Sequence, residues 1–93
     1  MPNPQEIKIT DNIPGAEYTN LMQVNHNKEE FQLYFMNVSP PTGKMVSKII
    51  TNPGHYKRMV SAMTENLSKY EEKFGAIDQT EPMKYEPSPE LLK

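Results

Sequence analysis

Phe31-Gln32-Leu33-Tyr34-Phe35-Met36-Asn37-Val38 is the stretch on which the fold turns. Its aromatic and branched side chains suit a pleated strand. Apolar residues fall on both parities, with Phe31, Leu33 and Phe35 on one and Tyr34, Met36 and Val38 on the other. Alternate side chains of a strand point to opposite faces, so this strand has two faces to bury. Upstream, Asn27-Lys28-Glu29-Glu30 suits a four-residue hairpin loop. It joins the stretch to a strand from Tyr18 to His26, in which Tyr18, Met22 and Val24 share a parity. That hairpin puts Met22 and Val24 on the same face as Phe31, Leu33 and Phe35. Downstream, Ser39-Pro40-Pro41-Thr42-Gly43 reads as a turn, with Pro able to start it and Gly43 free to take positive φ. Lys44 to Thr51 follows as a strand, with Met45 and Ile49 on one face and Val46 and Ile50 on the other. These strands form an antiparallel meander.

Past the meander the period changes. Tyr56, Met59, Val60, Met63, Leu67, Tyr70 and Phe74 form an apolar stripe at helical spacing, opposite Lys57, Arg58, Ser61, Glu65, Ser68, Glu72 and Lys73. Asn52 can cap the start, with Thr51 as its rival; Pro53 fits the first helical position and Gly75 a C′ position. Gly54 weakens the first turn. The fold class expected is α+β: an antiparallel meander of three to four strands followed by one long C-terminal helix.

The ends differ from this middle. Residues 1–17 carry Glu6, Asp11 and Glu17 against Lys8. Ile7-Lys8-Ile9-Thr10 offers a short alternation that could add an edge strand, stopped by Asn12-Ile13-Pro14-Gly15. Residues 76–93 are Pro-rich and acidic, with little to bury beyond Ile77 and Leu91-Leu92, and are expected to form a flexible tail. The folded domain is therefore expected over residues 18–75.

Composition narrows the function classes. The 93 residues hold 10 Lys and Arg, 12 Asp and Glu, and no Cys, for a net charge of -2. Without Cys there is no disulfide framework, zinc-thiolate site or thiol nucleophile. No apolar run nears the roughly 20 residues of a membrane-spanning helix, and Met1 to Glu6 lacks a signal-peptide pattern. A cytoplasmic location without membrane contact is the expectation. His26 and His55 lack metal-ligand spacing, with only Glu29 or Glu30 as a conceivable third ligand, so solvated or capping roles are expected. The adjacent pairs Glu29-Glu30 and Glu71-Glu72 point to different sides of their elements and make no acid/base pair. No Gly-rich phosphate loop exists, no cofactor is expected, and the residues point away from an enzyme.

Weak nucleic-acid binding is a further alternative, with less in its favour. Lys57, Arg58, Lys69 and Lys73 are interrupted by Glu65, Glu71 and Glu72. Tyr34 and Phe35 beside Lys44 and Lys48 could mimic a stacking surface, but a core role fits them better. Met59 and Met63 read as core, whereas Met36 and Met45 could line an adaptable binding surface.

Assembly is the positive expectation. One helix covers one sheet face, leaving the other apolar set as an exposed patch of the kind that marks an interface. A folded unit of this size is also marginal alone. The sequence therefore predicts self-association, most simply a two-fold dimer, through Tyr34, Met36, Val38, Met45, Val46 and Ile50. The competing arrangement folds the N-terminal segment over that face. Other partners consistent with such a patch are another protein or unfolded polypeptide.

Two resemblances bear on this. Tyr18, Asn20 and Leu21, then Val24 and His26, then Glu30-Phe31 with Leu33 and Phe35, continue through Pro53 and His55 to Leu67, Lys69-Tyr70-Glu71 and Phe74-Gly75. This pattern, ending in Tyr-Glu-x-x-Phe-Gly, resembles a bacterial family of small proteins known only as a domain of unknown function. The family implies no activity for any residue, and Gly54 departs from it where members often carry an acidic residue. The order of elements, an N-terminal strand, a three-strand meander and a long helix, resembles that of SecB-like export chaperones. That likeness implies assembly through sheet edges and helices, with apolar grooves for unfolded clients.

Overall fold

The computed structural model describes residues 5–79. Three strands, β1 (Leu21–His26), β2 (Phe31–Ser39) and β3 (Thr42–Thr51), form one antiparallel sheet in the order β1-β2-β3, followed by helix α1 (Pro53–Phe74). The described residues are thus α+β, with a three-stranded meander and one helix after it. Residues 76–79 carry no regular structure, and the rest of the expected tail lies outside the described residues, as do residues 1–4.

The first hairpin closes as its residues predict. Asn27 folds the four-residue connection by accepting from the backbone N–H groups of Glu29 and Glu30 on its Oδ1, at 2.8 and 3.0 Å. In the resulting register Met22 faces Phe35, Val24 faces Leu33 and His26 faces Phe31. β1 begins at Leu21, three residues later than Tyr18; Asn20 keeps one backbone bond, its N–H donating to the Met36 carbonyl at 3.1 Å, and meets Val38 through its side chain. Its Nδ2 donates to the Val38 carbonyl and its Oδ1 accepts from the Val38 N–H, both at 2.8 Å. The amide stands in for a peptide unit and turns the backbone out of the sheet. Thr19 Oγ1 adds a 2.8 Å bond to the Met36 carbonyl. Residues 5–19 consequently run outside the sheet. Ile7-Lys8-Ile9-Thr10 forms no edge strand, and Ile7, Ile9 and Ile13 are exposed, so the segment covers neither face. Asn20→Ala, which removes both bonds to Val38, is expected to lower stability by about 1–2 kcal/mol. A thermal melt checks this.

The second hairpin departs from simple alternation. It turns through two residues, Pro40 and Pro41, joined by a cis peptide bond, with Ser39 opposite Thr42. The register shifts by one between Phe35 and Met36, leaving Val46 without a cross-strand partner. Met45 and Ile49 therefore lie on opposite faces, not together. The reason is pairing: continuing the register of Phe35 opposite Ser47 would set Met45 against Asn37 and Lys44 against Val38. The bulge instead sets Met36 against Met45 and Asn37 against Lys44. It also brings Gly43 opposite Val38, where a Cβ would meet Val38 Cγ2 at 3.2 Å. Gly43 serves that close approach and does not take positive φ; Gly75 is the glycine that does.

Asn52 caps α1, accepting from the His55 N–H at 2.7 Å, and Pro53 opens the helix. Gly75, with φ +94°, closes it and donates to the Glu71 carbonyl at 2.8 Å. The core is small. Leu33, between Val24 and Ile49, is 2% exposed, and Met36, between Leu21 and Met45, is 8% exposed. They lie on opposite faces of β2, at odd and even positions.

Candidate interaction surface

The six residues singled out for an interface divide on the sheet. Tyr34, Met36, Val38, Met45 and Ile50 share one face, while Val46 is the bulge residue. This face is not a continuous apolar patch. Met36 is buried, Tyr34, Val38, Met45 and Val46 are half-buried, and Ile50 stands open. Half of the face is polar, because Tyr34 pairs with Gln23 and Lys48, and Gln32 with Asn25 and Ile50. The Tyr34 hydroxyl, Gln32 and Glu30 are linked by hydrogen bonds at 3.4 and 3.3 Å.

A longer open apolar stripe lies elsewhere, on the helix. α1 docks on the other sheet face through its first turns, where Tyr56 stacks on Phe31 with ring centroids 4.0 Å apart and planes 4° from parallel. His26 stacks on Phe31 from the β1 side at 5.3 Å. Tyr56 and Met59 are half-buried there. Beyond Met59 the stripe stays largely open, with Ile77 alongside Leu67: Val60, Met63, Leu67, Tyr70 and Phe74 are all 43% exposed or more. The expectation that the stripe would cover one sheet face thus holds for its first turns alone. Length alone does not set this limit, since the helix of 22 residues and the ten-residue β3 both span about 33 Å; the contact is confined to the start of the helix. Tyr70 and Phe74 pack on one another at 5.0 Å, with Lys73 Nζ 5.2 Å from the Phe74 ring. Such local pairs, with the Glu65–Lys69 bridge at 3.3 Å, each contribute only a few tenths of a kcal/mol. Residues 60–74 form too short a helix to be more than marginal in water by themselves.

Ile77 returns along the last turns, donating its backbone N–H to Glu71 Oε2 at 2.8 Å, and with Leu67, Glu71 and Gln79 it lines a shallow groove. A second depression, lined by Gly54, Lys57, Arg58, Ser61, Ala62 and Glu65, lies on the polar side of α1 and brings no histidine or acid pair together. Among the described residues no three His, Cys, Asp or Glu side chains converge as a metal site. His26 is placed by its ring contact and His55 by its backbone cap bond. No helix among the described residues is long and apolar enough to cross a membrane.

The helix stripe was legible in the sequence as apolar; what spacing alone does not show is that its last two thirds stay uncovered. A family model described as "Protein of unknown function (DUF3467)" matches residues 1–79. The chain belongs to that family. No curated protein and no solved structure matches it, and the likeness to SecB-like chaperones loses the N-terminal strand on which its order of elements relied, since residues 5–19 form none.

Proposed function

We propose that this chain is a non-enzymatic interaction module that works as a homo-oligomer. The observation that carries this reading is the uncovered stripe Val60, Met63, Leu67, Tyr70 and Phe74 on a well-capped helix. Full burial of an exposed side chain of this kind is worth about 1.5–3 kcal/mol, and roughly half of that remains for each of these five half-open residues, a driving force that the marginal helix lacks alone. Half-open Met22 and Ile49, on the sheet face where α1 docks, extend the apolar surface. Light scattering on a size-exclusion column across a dilution series tests the reading. A dimer or larger species that dissociates on dilution is expected, and a monomer at every concentration ends it.

A second reading is a chaperone-like module that binds extended polypeptide. Met63, 54% exposed on the stripe, and Met22 on the sheet favour it, since exposed methionines suit adaptable surfaces. It requires apolar surface left open after assembly. Suppression of a model client's aggregation supports it, and a chain that neither suppresses aggregation nor binds an apolar dye removes it.

A further inference from the structure

We infer that the occupant of the helix stripe is the same stripe of a second copy, packed antiparallel across a two-fold axis near Glu65. This rests on the self-association proposed above and specifies its geometry. Tyr56, Val60, Met63, Leu67, Tyr70 and Phe74 follow one another at intervals of four, three, four, three and four. That is a seven-residue repeat with its two apolar positions filled without a break, the spacing that keeps one seam facing a partner helix.

The flanks of the seam decide the orientation. On one side stand Lys57, Thr64 and Glu71, and on the other Met59, Asn66 and Lys73. An antiparallel pair sets Val60 opposite the partner's Tyr70, Leu67 opposite the partner's Met63 and Phe74 opposite the partner's Tyr56. In that register Lys57 meets the partner's Glu71, twice by symmetry, Thr64 and Asn66 each meet their own copies, and Met59 meets the partner's Lys73. No like charges face each other. A parallel pair sets Met59 against Thr64 and Asn66 against Glu71, which yields no ion pair. It also brings both sheets to one end of the seam. The antiparallel pair places each helix start beside the partner's helix end, where the opposed dipoles attract. It seats each Phe74, the most exposed residue of the stripe at 65%, beside the partner's Phe31–Tyr56 stack.

Charge reversal separates this geometry from self-association in general. Lys57→Glu sets two carboxylates together on both sides of the axis and is expected to raise the dissociation midpoint about tenfold. Lys57→Glu with Glu71→Lys is expected to restore it to within about twofold. Glu71→Lys alone is less diagnostic, since Glu71 also accepts from the Ile77 N–H. The absence of Cys makes any introduced thiol unique. Lys57→Cys chains mixed with Glu71→Cys chains should join through a short bis-maleimide as mixed dimers, with few Lys57→Cys pairs. A dimer indifferent to Lys57→Glu, or one whose Lys57→Cys chains link to each other, overturns the antiparallel seam while leaving self-association standing. A wild-type chain that stays monomeric, its stripe covered by its own residues 80–93 or by nothing, overturns both.

Discussion

Leu33→Ala is expected to leave the chain largely unfolded at 37 °C. Leu33 is the most deeply buried residue described, at 2% exposure, set between Val24 and Ile49 on the face where α1 docks. Truncating a buried Leu costs about 3 kcal/mol from lost transfer energy and the cavity left behind. A larger domain absorbs that loss, whereas a small one has roughly 3–5 kcal/mol of stability in all. Met36→Lys tests the other face. Met36 lies between Leu21 and Met45 at 8% exposure, so an ammonium there meets apolar neighbours on both flanks. From the sequence this residue reads as a probe of assembly; in the structure it is part of the core, and the charge is expected to lower the melting temperature even of dilute protein. Circular dichroism melts check both variants. An unchanged melt for Leu33→Ala would place the core elsewhere, and a Met36→Lys effect that appears only at high concentration would return Met36 to the interface.

The parts of this fold that were legible are those fixed by local chemistry. Asn27 can fold a four-residue loop by itself, and that loop decides the face shared by Met22, Val24, Phe31, Leu33 and Phe35. Asn52, Pro53 and Gly75 bound the helix by cap chemistry that needs no tertiary partner. The bulge at Val46 was illegible for a definite reason. Met45 and Val46 are both apolar, so alternation alone accepts either register, and the choice falls to Lys44 and Gly43, which must find Asn37 and Val38. The start of β1 was illegible because Asn20 meets Val38 through its side-chain amide, which no periodicity reveals. The candidate surface moved from sheet to helix through this same gap between pattern and placement. An apolar stripe announces that it needs burial, but whether its own sheet provides it depends on twist and docking angle.

Leu67→Glu is expected to abolish assembly while leaving the sheet folded. Leu67 sits near the middle of the stripe and is 47% exposed in the single chain, so a carboxylate there keeps its access to water and costs the isolated fold little. In the assembled seam the same carboxylate is buried against apolar neighbours, and two-fold symmetry buries it twice. The desolvation of each amounts to several kcal/mol, which corresponds to a loss of at least about a hundredfold in affinity. Helix content gives the second readout. Residues 60–74 have no sheet beneath them and are marginal as an isolated helix, so dissociation should fray α1 beyond Met59 and lower the helical signal at 222 nm. In wild type that signal should therefore rise with concentration in step with the solution mass; in Leu67→Glu it should stay low at every concentration, with the near-ultraviolet signal of the Phe31–Tyr56 stack retained. A variant that keeps the wild-type mass would show that the stripe is not the interface. One that loses mass and the aromatic signal together would make folding and assembly a single event, with the docked sheet depending on the partner as much as the helix does.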